Sequence, residues 1–279
     1  MRWILTSLRG KPPTRANREI RLHSRPNNFA SLSERGPVAT RSQLGALELV
    51  AGTFITFEGI DGSGKSTQLR LLTNFLSSQG CELLVTREPG GTPVGLRLRA
   101  ALLDAQEQVD PLTELLVFAA DRAQHVRRVL RPALAAGQIV LSDRYADATK
   151  AYQGAGRGFS VELISEIVEL ATEGLTPDLT LLFDLSIAES SARTRRRLES
   201  RQTGDRLDSE DAEFHTRVRE AYLALAEKEP ERFRIVTTNG PVDETHERVK
   251  EIVVPFLEAR GQMVSRESAA AGTRRTQPL

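Results

Sequence analysis

The chain has 279 residues, 39% hydrophobic and 27% charged, with a formal net charge of +1 and a single cysteine, Cys81. One cysteine excludes a disulfide framework and suits a reducing, cytoplasmic setting, and no apolar run reaches the length of a membrane-spanning helix. The near-neutral total hides a split: residues 1–50 hold nine Lys/Arg against three Glu, residues 261–279 three Arg against one Glu, and residues 51–260 an acidic excess of seven. An acidic centre lacks the basic surface of a nucleic-acid binder.

Residues 1–50 are poor in apolar residues, rich in Arg, Ser, Pro and Asn, and without sustained periodicity. They are expected to be disordered, as is the tail 261–279. The arm admits three readings: a transit peptide, a basic arm for an anionic partner, or an extension without function. From residue 53 the pattern changes. Thr53 to Glu58 alternates and carries aromatics, as a strand does. Gly59, Ile60, Asp61, Gly62, Ser63, Gly64, Lys65 and Ser66 follow, and fit the phosphate-binding pattern G-x-x-x-x-G-K-S/T at every fixed position. Residues 65–79 then place Leu69, Leu72, Phe75 and Leu76 on one helical face. Strand, glycine turn and helix are the setting this pattern needs. The glycines let backbone N–H groups converge on phosphate oxygens, and the helix N-terminus adds partial positive charge. Lys65 then reaches the β- and γ-phosphates and Ser66 holds Mg²⁺. A nucleoside triphosphate is the expected ligand, wrapped by Gly59 through Thr67.

Further strands are expected at 81–86, buried and beginning at Cys81, and at 138–142, 179–184 and 233–237. Helices are expected near 95–104, 111–136, 160–174, 187–200, 209–229 and 243–259. This alternation predicts one α/β domain over 51–260, a parallel five-stranded sheet with helices on both faces. The run 138–142 leads into Asp143, Arg144 and Tyr145. A carboxylate at the end of a strand beside the phosphate loop suits Mg²⁺ or its waters, and the neighbouring guanidinium can fork onto phosphate. Tyr152, Gln153 and the glycines up to Gly158 come next and read as a mobile loop.

Four segments, Phe57 to Thr67, Thr86 to Thr92, Asp143 to Tyr145 and Ala151 to Gly158, stand in an order and spacing that resemble the thymidylate kinase family. Members are P-loop enzymes that phosphorylate dTMP to dTDP with ATP, and the resemblance covers roughly residues 52–260. It implies a P-loop kinase fold with a mobile lid, Mg²⁺ as cofactor, ATP and dTMP as partners, and a homodimer. Helical faces near 65–79 and 160–174 would permit that dimer. Asp61 resembles the carboxylate that accepts a hydrogen bond from the 3′-hydroxyl of dTMP. Phe118 and Arg122, four apart on one helix, resemble the pair that stacks on thymine and bonds its O4. Arg99 and Arg144 resemble the clamp on the acceptor phosphate, with Arg87 joining them or bracing its own turn. Tyr152 stands where the family crowds out a 2′-hydroxyl; Gln153 would bond the base or order its loop, and Arg157 would be structural.

The resemblance also implies a lid over 193–208. Some members carry a catalytic arginine in the phosphate loop, where this chain has Gly62, so the lid must supply it. Arg201 is the first candidate, Arg197 the alternative, and Arg206 would hold phosphate or pair with nearby acids. With Lys65 and Arg144, Arg201 completes the expected catalytic set. Two positions depart from the family: Ala148 stands where Ser is frequent, and Lys150 follows Thr149. The turn 237–241 is expected near adenine. The rival readings are a kinase for another nucleotide, a non-catalytic nucleotide switch, and a nucleic-acid binder acting through the arm. No Asn-Lys-x-Asp guanine signature occurs.

Overall fold

The computed structural model describes residues 52–103, 105, 108–201, 207 and 210–263, and only the backbone of 197–201. Five parallel strands form one sheet: β1 (Thr53–Glu58), β2 (Leu83–Arg87), β3 (Ile139–Asp143), β4 (Leu179–Asp184) and β5 (Phe233–Thr237). Their spatial order is β2-β3-β1-β4-β5, so β1 is central and the phosphate loop leaves the middle of the sheet. Central position explains the sequence pattern, since β1, β3 and β4 are buried almost throughout and carry apolar residues on both faces. β2 is an edge strand, half-exposed along its length. It begins at Leu83 rather than Cys81, and Cys81 lies in the preceding turn with its thiol 3.8 Å from the Gln262 carbonyl. The expectation of a buried strand starting at Cys81 was therefore wrong.

Helices α1 (Lys65–Ser78) and α9 (Val242–Ala259) pack together over one face. Leu69, Leu72 and Leu76 of α1 meet Val249, Val253 and Leu257 of α9 over Ile55, Leu141, Leu181 and Phe183. The apolar face of α1 is thus spent inside the domain and is not free for a dimer contact. Met263, in the expected C-terminal tail, also packs on this core. α8 (Ala212–Lys228) buries Phe214, Val218, Tyr222 and Ala226 against Ile60, Tyr152 and Leu182. α2 (Pro93–Leu103), α6 (Val161–Thr172) and α7 (Ile187–Arg201) lie close to their expected positions.

Two helical regions differ from expectation. The single helix expected over 111–136 is α3 (Pro111–His125), a π-helical turn (Val126–Leu130) and α4 (Arg131–Ala135). Pro132 lacks an N–H and crowds the carbonyl four residues back, and the ladder widens one turn ahead of it. The segment read as a mobile glycine loop is instead helical: α5 (Ala146–Thr149) runs into a second π-helical segment (Lys150–Gly156). Gly156 permits it, because a Cβ there would sit 2.6 Å from the Phe214 ring of α8.

Candidate active site

A cleft of about 670 Å³ opens at the carboxyl ends of β1, β2 and β3. The parallel register sets Phe57, Asp143 and Arg87 side by side there. On one wall is the phosphate loop. Gly59, Gly62 and Gly64 have φ of +132°, +74° and +93°, the left-handed side of backbone space that glycine enters without a Cβ clash. Lys65 is buried, and its Nζ donates to the carbonyls of Gly59 and Ile60, each at 2.8 Å. Burial, with Arg144 nearby, lowers its pKa to about 8. Ser66 Oγ donates to Asp143 Oδ2 at 2.7 Å. A hydroxyl beside a carboxylate fits a hard cation that keeps several waters and shares phosphate ligands. Among the described residues no cluster of three or more His, Cys, Asp or Glu forms a metal site, so any ion here would lean on phosphate and water.

Gly62 faces α7. A Cβ there would stand 2.9 Å from the Ser190 carbonyl and 3.1 Å from Thr194 Oγ1, and Ser190 Oγ donates to the Asp61 carbonyl at 2.6 Å. The N-terminal half of α7 is pressed so closely on the loop that a side chain at position 62 has no room.

Against the loop stands Arg144, in the left-handed region at φ +72°. Its Nη1 donates to the Gly59 carbonyl at 3.1 Å and to the Tyr222 hydroxyl at 3.4 Å. Its Nη2 donates to Asp61 Oδ1 at 2.9 Å and to the Tyr152 hydroxyl at 3.1 Å. Tyr152 in turn donates to Asp61 Oδ2 at 3.1 Å, and its ring lies 4.8 Å from the guanidinium carbon. Asp61 therefore forms one cluster with Arg144 and Tyr152, which follow it by more than eighty residues.

The third wall belongs to α3. Phe118 is half-buried and lines the cleft with Arg99 and the exposed Arg87. Arg122 lines it too, but it is buried and engaged: Nε donates to Glu88 Oε2 at 2.8 Å, Nη1 to Thr149 Oγ1 at 2.9 Å and Nη2 to the Tyr145 carbonyl at 3.0 Å. Glu88 also meets His125 Nδ1 at 2.8 Å, and His125 Nε2 meets Thr86 Oγ1 at 2.7 Å. Asp121 accepts the Gly90 N–H at 3.2 Å, and burial beside Glu88 raises its pKa to about 6. Arg99 donates to the Pro89 carbonyl at 3.1 Å. Gln153 lines the cleft and donates to the buried Glu114 at 3.0 Å, where Arg157 also binds. That is the loop-ordering alternative for Gln153 and the structural one for Arg157.

Of the residues singled out from sequence, Asp61, Gly62, Gly64, Lys65, Ser66, Thr67, Arg87, Arg99, Phe118, Arg122, Asp143, Arg144, Tyr152 and Gln153 line this one cleft. Arg201 ends α7 with only its backbone described, the side chain of Arg197 is likewise outside the described set, and Arg206 lies outside it altogether. Arg196, not singled out before, lines the cleft from α7. Sequence reading also missed Glu88, Asp121, His125, Thr149 and Tyr222. Glu88 carried the best available signal, an acid within Thr86 to Thr92, yet its cation is on a distant helix.

The sheet order and the phosphate loop define a P-loop kinase fold. The thymidylate kinase family profile matches residues 57–249. A thymidylate kinase of Exiguobacterium sibiricum is 44% identical over 215 residues, covering 77% of this chain and all of the relative. One of Pelobacter propionicus is 50% identical over 201 residues, covering 71% of this chain and 92% of the relative. Among solved structures, thymidylate kinase from Ehrlichia chaffeensis aligns with a TM-score of 0.60 at 34% identity, covering 73% of this chain and 98% of its own. The chain belongs to the thymidylate kinase family and is an enzyme of that family.

Proposed function

We propose that the protein transfers the γ-phosphoryl group of ATP to dTMP, in the cytoplasm and toward dTTP for DNA replication. The observation that carries the reading is the meeting of the phosphate loop with the Asp61–Arg144–Tyr152 cluster in one cleft. The loop from Gly59 to Thr67 wraps the triphosphate of ATP, with Lys65 on its β- and γ-oxygens. Ser66 and Asp143 would hold Mg²⁺, which supplies charge neutralisation on the bridging phosphates when bound. Asp61 accepts the 3′-hydroxyl of dTMP, Arg144, Arg99 and Arg87 hold its phosphate, and Tyr152 fills the space of a 2′-hydroxyl. Phe118 stacks on thymine, and Arg122, fixed by Glu88 and Thr149, offers O4 the N–H groups its partners leave over.

The acceptor is a phosphate monoester whose second pKa is near 6, so its attacking oxygen is already anionic at pH 7. No general base is needed, and catalysis rests on positioning, charge and exclusion of water. Closure of the lid over residues 193–208 brings Arg201 to the transferring group, with Arg206 on phosphate. The crowding at Gly62 supports that division, since no loop side chain can take the place. Replacing Arg201 by Ala should lower kcat about a hundredfold or more, on the low side of an arginine finger; a rise in KM alone would sink the lid assignment. Leu96, Leu112, Leu116, Val161 and Leu170 are exposed on α2, α3 and α6, with α2 and α6 each packed on α3. They support a homodimer through that face, to be checked by sedimentation of a Leu116→Glu, Leu170→Glu variant. The primary test is an acceptor screen with ATP and dTMP, dUMP, dCMP, dGMP and AMP. dTMP should dominate, and turnover of another monophosphate in preference to it refutes the reading.

A further inference from the structure

Glu58, the last residue of β1, is wholly buried beneath the cleft. Its Oε1 accepts the backbone N–H of Tyr145 at 2.7 Å, and its Oε2 accepts the Tyr222 hydroxyl at 2.8 Å. Both partners lead to Arg144. Tyr145 follows the left-handed Arg144 directly, so its amide fixes the turn that aims the guanidinium. Tyr222 donates its only proton to Glu58, which leaves its lone pairs facing Arg144 Nη1 at 3.4 Å. The direction of this chain depends on charge. A carboxylate can only accept, so it orients the hydroxyl with its oxygen toward Arg144; a carboxylic acid can donate to the same hydroxyl and compete with the guanidinium for it.

We propose that Glu58, in its ionised form, is a positioning residue for the acceptor side of the site, holding Arg144 in the orientation that grips Asp61. The inference rests on the reading of Arg144 and Asp61 as acceptor ligands.

The surroundings set the working range. Glu58 faces Asp147 on α5, Arg144 after β3 and Tyr222 on α8, with Lys65 on α1 and Arg122 on α3 within electrostatic reach. Burial, then Asp147, raises its pKa to about 7 against the pull of Arg144 and the two hydrogen bonds. Asp147 itself stays ionised: burial opposes its charge, but Arg232 and Lys150 hold it below the ordinary carboxylate range. Between the ordinary value of 4.5 and about 7 the folded state binds the proton more tightly than the unfolded chain does. Stability therefore falls as pH rises through that window and levels off above it. The ionised form that orders the site is the form that stability disfavours.

The test is steady-state kinetics with dTMP at saturating ATP from pH 5.5 to 9, alongside thermal unfolding, for the parent, Glu58→Gln and Tyr222→Phe. The parent should lose kcat/KM for dTMP below about pH 7. Glu58→Gln should move that limb down toward about 6, where dTMP's own phosphate titrates. At pH 8 it should raise KM for dTMP about tenfold, the size of one hydrogen bond to a charged group, with KM for ATP within about twofold and a Tm no lower than the parent's. Tyr222→Phe should shift the limb upward, because Glu58 loses a hydrogen bond to its ionised form. It keeps the test alive if the Gln variant does not fold. An unchanged pH profile in either variant overturns the inference, as does a Glu58→Gln enzyme that loses Tm at pH 8 and both substrates alike. A parent inactive on dTMP throughout overturns the proposed function, and this inference with it.

Discussion

The wall built by the phosphate loop and the wall built by α3 with the β3–α5 turn are held by different means. The loop is one run of chain, shaped by glycine dihedrals and by backbone atoms: Lys65 is anchored on the carbonyls of the loop's own first two residues, Gly59 and Ile60. The α3 wall is assembled from buried side chains contributed by separate elements, with Arg122, Glu88, His125, Thr149 and Thr86 in one network. Outside its glycines, which have no room or no backbone freedom for a side chain, the loop keeps its shape when a side chain is trimmed, whereas a buried ionic network fails when one member is removed. The comparison separates function from stability. On the loop wall, substitutions should damage turnover more than folding. On the α3 wall they should damage both.

The largest effect should come from Lys65→Ala. kcat should fall on the order of 10³-fold, the scale of a lost donor at developing charge, while stability stays within about 1 kcal/mol of the parent. The lysine's own burial opposes its charge, so removing it relieves a cost as it loses two hydrogen bonds. Denaturant unfolding beside the kinetics checks the pair of values. Arg122→Ala should behave in the opposite way. Glu88 loses its buried cation, and Thr149 and the Tyr145 carbonyl lose a donor. Unfolding should show a loss of about 3 kcal/mol together with weaker dTMP binding. Equal stability losses in the two variants would erase the contrast between the walls.

The smallest effect sharpens the picture within the α3 wall. Asp121 has its pKa raised to about 6 by burial and Glu88, so the folded state holds its proton between the ordinary value near 3.8 and about 6. Stability from this group falls as pH rises across that interval. Asp121→Asn keeps an acceptor for the Gly90 N–H and removes the charge. Thermal unfolding of that variant should be flatter between pH 4 and 6, and at pH 8 it should match or exceed the parent by on the order of 1–3 kcal/mol. A variant less stable than the parent at pH 8 would mean that the Asp121 charge supports the wall.

The same division governs what could be read in advance. The loop, its strand and its helix were legible because each is local: the glycine spacing, the alternation of Thr53–Glu58 and the 3.6-residue stripe of α1 are all properties of contiguous residues. Strand β2 was begun two residues early at Cys81 because it is half-exposed along its length, without the continuous apolar run that makes β3 and β4 read clearly. The helical course of 146–156 was missed because its glycines read as loop, while the close approach of Phe214 that explains Gly156 comes from a helix some sixty residues later. Gln153 and Arg157 could not be assigned to Glu114 by spacing alone, since their partner sits on α3.

The sequence by itself determined a parallel α/β sheet, a phosphate loop after its first strand and a roster of polar residues that the fold then gathered into one cleft. Periodicity and glycine placement act over a few residues, and that range suffices for those features. Only the tertiary structure decided which of those residues touch. It put Arg144 on Asp61 and Tyr152, engaged Arg122 with Glu88, closed the space at Gly62 with α7, and set Glu58 against the Tyr145 amide and the Tyr222 hydroxyl. Buried charges choose partners by distance through the folded core, where low polarizability makes each pairing strong, and that distance is unrelated to separation along the chain.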